Sequence, residues 1–210
     1  KYFSAASRYA PNNIIHFINS NLRFSPVMMS NSQINSERNQ YKKEIYNLRN
    51  KVNMYYSKPK TFLSSAFYLA YQNRLDDRVI LEDFADAISN VKGMVLNSFS
   101  RDKYLAFASK RKNLKVGICS INLRPNHSVG KCFFNVIKDL SQTDIDMTIY
   151  IVPDKINNSS RQEIHDSFEN VINLPNCPQS AAKIILSDQL DLIFYPDIGM
   201  NSFSYILALS

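Results

Sequence analysis

Polar residues that could do chemistry are concentrated in two short stretches of this sequence, residues 122–128 and residues 195–200. The candidate functional residues within them are Asn126, His127, Ser128, Asp197, Gly199 and Met200. His127 directly precedes a helical pattern, and the partial positive charge at a helix N-terminus disfavours the imidazolium form. A neutral imidazole here suits a general base that takes a proton from a hydroxyl or an amide. The amide groups of the same helix N-terminus could hold an anion.

Two of these candidates, His127 and Asp197, also have an ordinary structural explanation. A histidine in a loop before a helix is often a surface or capping residue, and an aspartate after a strand often satisfies the amide groups of its turn. The other two histidines, His16 and His165, lie in predicted helices and are not expected to do chemistry. The chemistry therefore depends on whether the two polar stretches come together in the fold.

The elements around the first stretch predict how it is positioned. An apolar run at residues 114–120 is typical of a buried strand, and a helical pattern follows from Ser128, the expected N-cap. The predicted inward face of that helix consists of Val129, Cys132, Phe133, Val136, Ile137 and Leu140. This strand, loop and helix place His127 beyond the carboxyl end of the strand, where ligands bind in α/β sheets.

The rest of the second half continues this alternation. Strands are predicted at residues 145–152, 171–174 and 190–195, and one of the helices opens with a capping-box pattern at residues 160–163. Strands alternating with helices of this length predict a parallel sheet with right-handed crossovers. Because parallel strands deliver the loops that follow them to one edge, both polar stretches should line one cleft.

The first half is predicted to be helical, with helices at residues 14–22, 36–53 and 77–91, the last capped by Asp76 or Asp77 and ended by Gly93. Residues 30–36 are expected to form a loop, Lys58-Pro59-Lys60 a break, and residues 61–71 either a buried strand or a buried helix. The residues predicted to face inward are Tyr41, Ile45, Leu48 and Val52 in the second helix, and Ile80, Leu81, Phe84, Ala87, Ile88 and Val91 in the third.

These patterns together predict an α/β fold with a Rossmann-like parallel sheet, preceded by a helical segment. We expect residues 1–113 to form that helical segment and its connection, in which residues 94–113 are irregular and basic. Residues 114–210 are expected to form the Rossmann-like domain.

Composition and motifs exclude several functional classes. The net charge is +7, and much of it lies in residues 36–60 and 101–115, but no aromatic and basic RNA signature accompanies it, so nucleic acid is not expected as a partner. The three cysteines lack zinc-site or disulfide spacing, which favours a reducing, cytoplasmic location. No apolar run approaches the roughly 18 residues of a membrane span. Dinucleotide, P-loop, serine-hydrolase and metal-site motifs are absent.

Two stretches carry a resemblance to a known family. Residues 115–131 (KVGICSINLRPNHSVGK) and 190–209 (LDLIFYPDIGMNSFSYILAL) resemble the catalytic region of protein O-GlcNAc transferase-like enzymes. The similarity is to bacterial members that often carry tetratricopeptide repeats and are related to cytoplasmic N-glycosyltransferases. Earlier stretches at residues 25–27, 67–72 and 77–78 are similar too, so the resemblance covers roughly residues 25–210.

The resemblance implies the N-terminal lobe of a two-lobed GT-B glycosyltransferase. A UDP-sugar would bind mainly to the other lobe, with a protein or peptide acceptor in the cleft between them, and no metal or further cofactor is expected. The resemblance makes His127 the candidate catalytic residue, as a base or as a contact with the acceptor. The expected substrate-binding residues are Asn126, Ser128, Asp197, Gly199 and Met200.

The length of the chain limits this expectation. It stops at Ser210, before a second lobe, so the fragment itself is expected to be inactive and to bind UDP-sugar poorly. GlcNAc or a hexose would be the transferred sugar. Two alternatives remain open: a non-catalytic protein-interaction module whose helices in residues 1–93 bind a partner, and the lobe of another GT-B enzyme such as a sugar epimerase.

Overall fold

The computed structural model describes residues 2–55, 65–74, 76–91, 111–153 and 158–209. The chain forms two compact units, one drawn mainly from residues 1–95 and one mainly from residues 96–208. The break predicted at Lys58-Pro59-Lys60 and most of the predicted connection 94–113 lie outside the described residues, as does Gly93. The domain boundary at residue 113 therefore stays a prediction.

Within the described part of the first unit, the elements are helical. They are α1 (Tyr2–Tyr9), α2 (Ile14–Asn21), α3 (Asn31–Asn50), α4 (Asp77–Ser89) and two 3₁₀ segments, Val52–Met54 and Ser65–Gln72. The 3₁₀ segment 65–72 covers the end of the run that the sequence left open between strand and helix, while residues 61–64 lie outside the described residues. Helix α2 agrees with the predicted helix at residues 14–22.

The predicted loop at residues 30–36 is wrong, because α3 begins at Asn31. Ser30 is its N-cap, and the Ser30 hydroxyl accepts a hydrogen bond from the Gln33 amide at 3.1 Å. A serine cap satisfies one of the orphan amides of the first turn, so the helix can start within a polar stretch. The inward residues Tyr41, Ile45 and Leu48 are buried as predicted, whereas Val52 lies beyond the helix end.

Helix α4 buries most of the face that the sequence predicted. Ile80, Phe84, Ala87 and Ile88 are buried, and Val91 just after the helix is buried as well. Leu81 was predicted to face inward but is 38% exposed. The buried positions follow the spacing 80, 84, 87 and 88, which turns position 81 away from the core.

Arg38 on α3 is an almost fully buried cation that links α3 to the start of α4. Its guanidinium donates to Gln72 Oε1 at 3.1 Å and to Asp77 Oδ1 at 2.7 Å, and it also pairs with Asp76. Arg38 is 5% exposed and Gln72 is 2% exposed. Asp76 occupies the N-cap position of α4, yet its side chain makes no cap hydrogen bond and pairs with Arg38 and Lys42.

We expect Arg38→Met to lower the free energy of unfolding by about 2 kcal/mol, because the buried Gln72 oxygen loses its donor. Methionine keeps the apolar stem, so the loss reports on the guanidinium. Urea unfolding followed by circular dichroism measures it. The control is Arg78→Met, which removes an exposed pair with Glu82 and should change stability little. Equal losses for the two variants would contradict the structural role of Arg38.

The second unit is an α/β unit with a parallel sheet, as the sequence predicts. Its elements are β1 (Leu114–Ser120), α5 (Ser128–Leu140), β2 (Ile145–Ile151), α6 (Asn158–Ser167), β3 (Val171–Asn173), α7 (Pro178–Ser187), β4 (Leu192–Phe194) and α8 (Ser202–Ala208). The described strands are all parallel, in the order β3-β2-β1-β4. Leu114 pairs with Ile145, and Val116 pairs with Leu192.

Both faces of the sheet are covered, which gives a three-layer arrangement. One core lies between the sheet and the helices α5 and α6, and it contains Val116, Ile118, Leu123, Phe134, Ile137, Met147, Ile149, Ile151, Ile164 and Phe168. The other lies under α7 and α8, and it contains Cys119, Tyr150, Val152, Leu174, Ala181, Ala182 and Leu207. The central strands β1 and β2 are largely buried, which explains their continuous apolar runs in the sequence.

The inward face of α5 differs from the predicted one. The buried residues are Val129, Gly130, Phe134 and Ile137, whereas Cys132 is exposed, Val136 is 54% exposed and Leu140 is 44% exposed. The apolar residues of this helix span about half of its circumference, which is wider than the buried stripe, so periodicity alone did not decide which part of that face is buried. Helix α6 begins at Asn158, two residues before the predicted capping box. The side chain of Ser160 is not among those that the structure describes, so the capping box itself stays a prediction.

The described residues contain no helix that is long and apolar enough to cross a membrane. All three cysteines are free, with Cys119 buried and Cys132 and Cys177 exposed. The exposure of Cys132 corrects its predicted place on a buried face.

Candidate functional site

The strand order creates a topological switch point beside β1. The chain runs outward from β1 to β2 and β3, and then returns to place β4 on the other side of β1. Because β1 and β4 are adjacent and parallel, the loops that follow them lie at the same edge of the sheet. The two loops lead to helices on opposite faces of the sheet. Open α/β sheets bind ligands in the crevice at such a point. The polar stretches 122–128 and 195–200 lie in these two loops.

Asp197 joins the two loops directly. Its Oδ2 atom accepts hydrogen bonds from the Ser120 hydroxyl at 2.8 Å, the Ile121 amide at 3.0 Å and the Asn122 amide at 3.1 Å. The Ser120 hydroxyl in turn accepts from the Asn122 amide at 2.9 Å. Asp197 is 1% exposed, and its Oδ1 atom is buried with no hydrogen-bond partner. The aspartate thus satisfies amides of the β1–α5 loop, more than seventy positions away in sequence.

Gly199 and Met200 shape the rim of the β4–α8 loop. Gly199 has a φ of 86°, a left-handed conformation that glycine adopts without steric cost. The Met200 amide donates to the Asp197 carbonyl at 3.0 Å, and the Met200 side chain is 50% exposed. The loop ends at Asn201, whose side-chain oxygen caps α8 by accepting from the Phe203 amide at 2.7 Å. Met200 is therefore accessible to a ligand, whereas Asp197 is not.

His127 is the N-cap of α5, so the prediction that Ser128 fills this role is wrong. The Val129 amide donates to His127 Nδ1 at 3.2 Å. In a neutral imidazole one ring nitrogen carries the proton and the other accepts, so a cap bond at Nδ1 places the proton on Nε2. His127 then presents a hydrogen-bond donor at the half-buried rim. This geometry favours a donor over the general base that the sequence suggests.

Gly130 allows the β1–α5 loop to lie against the first turn of α5. A Cβ atom at this position would lie 1.7 Å from the Arg124 carbonyl oxygen and 2.2 Å from its carbon. The same carbonyl accepts a hydrogen bond from the His127 amide at 2.9 Å. The approach of loop to helix therefore fixes the backbone of His127. Asn126 and Ser128, on either side of it, are exposed.

Ser120, Arg124 and Gly130 were not among the predicted site residues, and the structure brings all three into the site. Arg124 donates to the Asn122 side-chain oxygen at 3.3 Å, and its Nε atom is buried without a partner. The glycine three positions after His127 was the available signal, because a glycine inside a helix often marks a close backbone approach. Nothing in the sequence indicated the pairing of Ser120 with Asp197.

The groups beneath the rim are held neutral. Burial, reinforced by the negative charge of Asp197, raises the pKa of the Cys119 thiol far above its usual range. Burial likewise raises the pKa of the Tyr195 hydroxyl. Neither group can therefore serve as an ionised nucleophile near neutral pH. Across the described ranges, no cluster of three or more His, Cys, Asp or Glu side chains could hold a metal ion.

Comparison with known proteins gives a structural likeness but no sequence match. No family model matches the sequence, and no curated protein matches it. Among solved structures, a mutant of the O-GlcNAc transferase of Thermobaculum terrenum matches with a TM-score of 0.50 and 13% sequence identity. The match covers 99% of this chain and 38% of that chain, so this chain spans well under half of that structure. At this identity the likeness is one of fold alone.

Proposed function

We propose that this chain contributes the Rossmann-like lobe of a glycosyltransferase that moves GlcNAc or a hexose from a UDP-sugar to a protein side chain. The observation that carries the proposal is the meeting of the β1–α5 and β4–α8 loops at the switch point, joined through Asp197. The glycosyltransferase-like fold and the resemblance of these same loops to O-GlcNAc transferase-like sequences support it. The proposal involves no metal ion and no cofactor besides the sugar donor.

In this proposal His127 contacts a substrate oxygen through Nε2–H. A donor at a fixed position can orient the acceptor or stabilise negative charge that develops as the bond between sugar and diphosphate breaks. The cap bond from Val129 fixes the ring that carries the donor. The exposed Asn126 and Ser128 on either side of it, and the exposed Met200 on the opposing loop, would contact the acceptor, and Gly199 would let that loop approach closely.

The test is UDP release by the complete protein from UDP-GlcNAc and from UDP-hexoses, with and without an acceptor. We expect release that depends on an added protein or peptide acceptor, with the sugar found on that acceptor by mass spectrometry. Turnover of UDP-GlcNAc in the absence of any acceptor would instead identify an epimerase or hydrolase. A folded protein that turns over no UDP-sugar with a broad peptide library would favour the non-catalytic interaction module.

A further inference from the structure

We infer that Asp197 is a positioning residue: it holds the β1–α5 loop, and with it His127, in register with the β4–α8 loop, without touching substrate itself. The inference rests on the proposed function, because a positioned His127 matters for turnover only if the site binds a substrate. Its structural part, the coupling of the two loops, can be tested without any activity. The resemblance had made Asp197 a substrate contact.

Burial argues against direct contact with a ligand. Asp197 is 1% exposed, and its carboxylate accepts from one hydroxyl and two backbone amides, all of residues 120–122 at the end of β1. A substrate that reached this carboxylate would have to displace a backbone amide or the Ser120 hydroxyl. Each of those groups would then lie buried without its partner, at a cost of about 1–3 kcal/mol.

The β1–α5 loop transmits the position of Asp197 to His127. Its first residues are held by the carboxylate, and Leu123 is buried at 2% exposure in the core under α5. Its last residues are held by the contact of the Arg124 carbonyl with Gly130 and with the His127 amide. With both ends fixed, the segment of seven residues between Ser120 and Ser128 has little freedom, so a change at its start reaches the histidine.

A carboxylate suits this position better than an amide. Three donors converge on Oδ2, and an ionised acceptor forms stronger hydrogen bonds than a neutral one. In Asp197→Asn, the amide oxygen could replace Oδ2, but the NH₂ group would then occupy the buried place of Oδ1, which has no partner. We therefore expect the asparagine variant to fold with a loosened loop.

The experiment follows the ring nitrogens of His127 in the ¹⁵N-labelled full chain by NMR. In the unaltered chain we expect the Nε2–H tautomer. In Asp197→Asn, the ring nitrogens of His127 and the amides of Val129 and Met200 should shift, while His165 on α6 serves as an unaffected internal reference. Ser120→Ala, which removes one donor and keeps the carboxylate, is the milder variant if asparagine prevents folding. Ile164→Ala, a buried change on α6, controls for loss of stability alone.

The outcomes separate the two proposals. A folded Asp197→Asn or Ser120→Ala chain with unchanged His127 and Met200 signals overturns the positioning role. Shifted signals support it, whether or not the complete protein turns over UDP-sugar, so a failed assay would count against the proposed function alone. Where turnover is present, Asp197→Asn should lower kcat by about 10- to 100-fold with little change in KM. A loss confined to KM for the sugar donor would indicate direct contact and contradict the inference.

Discussion

Replacing His127 by alanine is expected to lower kcat of the complete protein by a factor of about 100 or more, the usual effect of removing one fixed donor from a reacting oxygen. The structural reason is that Nδ1 is occupied by the Val129 amide, which leaves Nε2–H as the group available to substrate. Alanine also removes the cap of α5 and should lower stability by about 1 kcal/mol. Steady-state UDP release and urea unfolding, measured on the same preparation, give the two effects.

A second variant, His127→Asp, separates the effect on turnover from the effect on stability. The aspartate offers an oxygen to the Val129 amide and suits the helix N-terminus, so stability should return while turnover stays low. His165→Ala removes the same residue type from an exposed position on α6 and should leave both quantities unchanged. Recovery of turnover in His127→Asp would show that capping, and not donation from Nε2, is the contribution of this histidine.

Gly130→Ala is expected to destabilise the second unit by about 3 kcal/mol, the upper part of the range for an overpacked site. In most helices this change stabilises by about 0.5–1 kcal/mol, since alanine loses less backbone entropy than glycine. The sign reverses here because the added methyl group would lie 1.7 Å from a backbone oxygen, which cannot rotate away. Differential scanning calorimetry or urea unfolding measures the change.

Ser128→Ala is the matched control for that substitution. It adds no atom, lies in the same first turn and affects an exposed side chain, so little change is expected. We also expect the tautomer preference of His127 to be lost in Gly130→Ala, because relief of the clash has to move the Arg124 carbonyl that accepts from the His127 amide. A Gly130→Ala protein as stable as the unaltered one would show that the loop is held less closely than the structure indicates.

The layout of the second unit was predictable because buried parallel strands leave a strong pattern in sequence. The bounds of β1 agree with the apolar run 114–120, and β2 falls within the predicted strand at residues 145–152. The edge strand β4 spans three residues instead of the predicted six, since only part of that run pairs with β1. The switch point itself follows from strand order, which sequence periodicity does not determine.

The site was less predictable, because its decisive contacts join residues far apart in the chain. Local preference favours serine over histidine as an N-cap, yet the approach of the Arg124 carbonyl to Gly130 places His127 there instead. The burial of Asp197 depends on amides at residues 121 and 122, which no local pattern connects to residue 197. Sequence located the loops, and only packing decided which of their side chains face solvent.

The distribution of thiols makes the second unit accessible to spectroscopic probes. Cys132 lies on the exposed side of α5 and Cys177 precedes α7, and these helices cover opposite faces of the sheet. Hydrogen bonds from the Ser180 amide and hydroxyl lower the pKa of Cys177, so this thiol should take up an alkylating dye first. Cys119 is shielded in the interior. Labels on these two native cysteines would thus lie on opposite sides of the sheet. Fluorescence energy transfer between them would report on motion of the helical layers relative to each other.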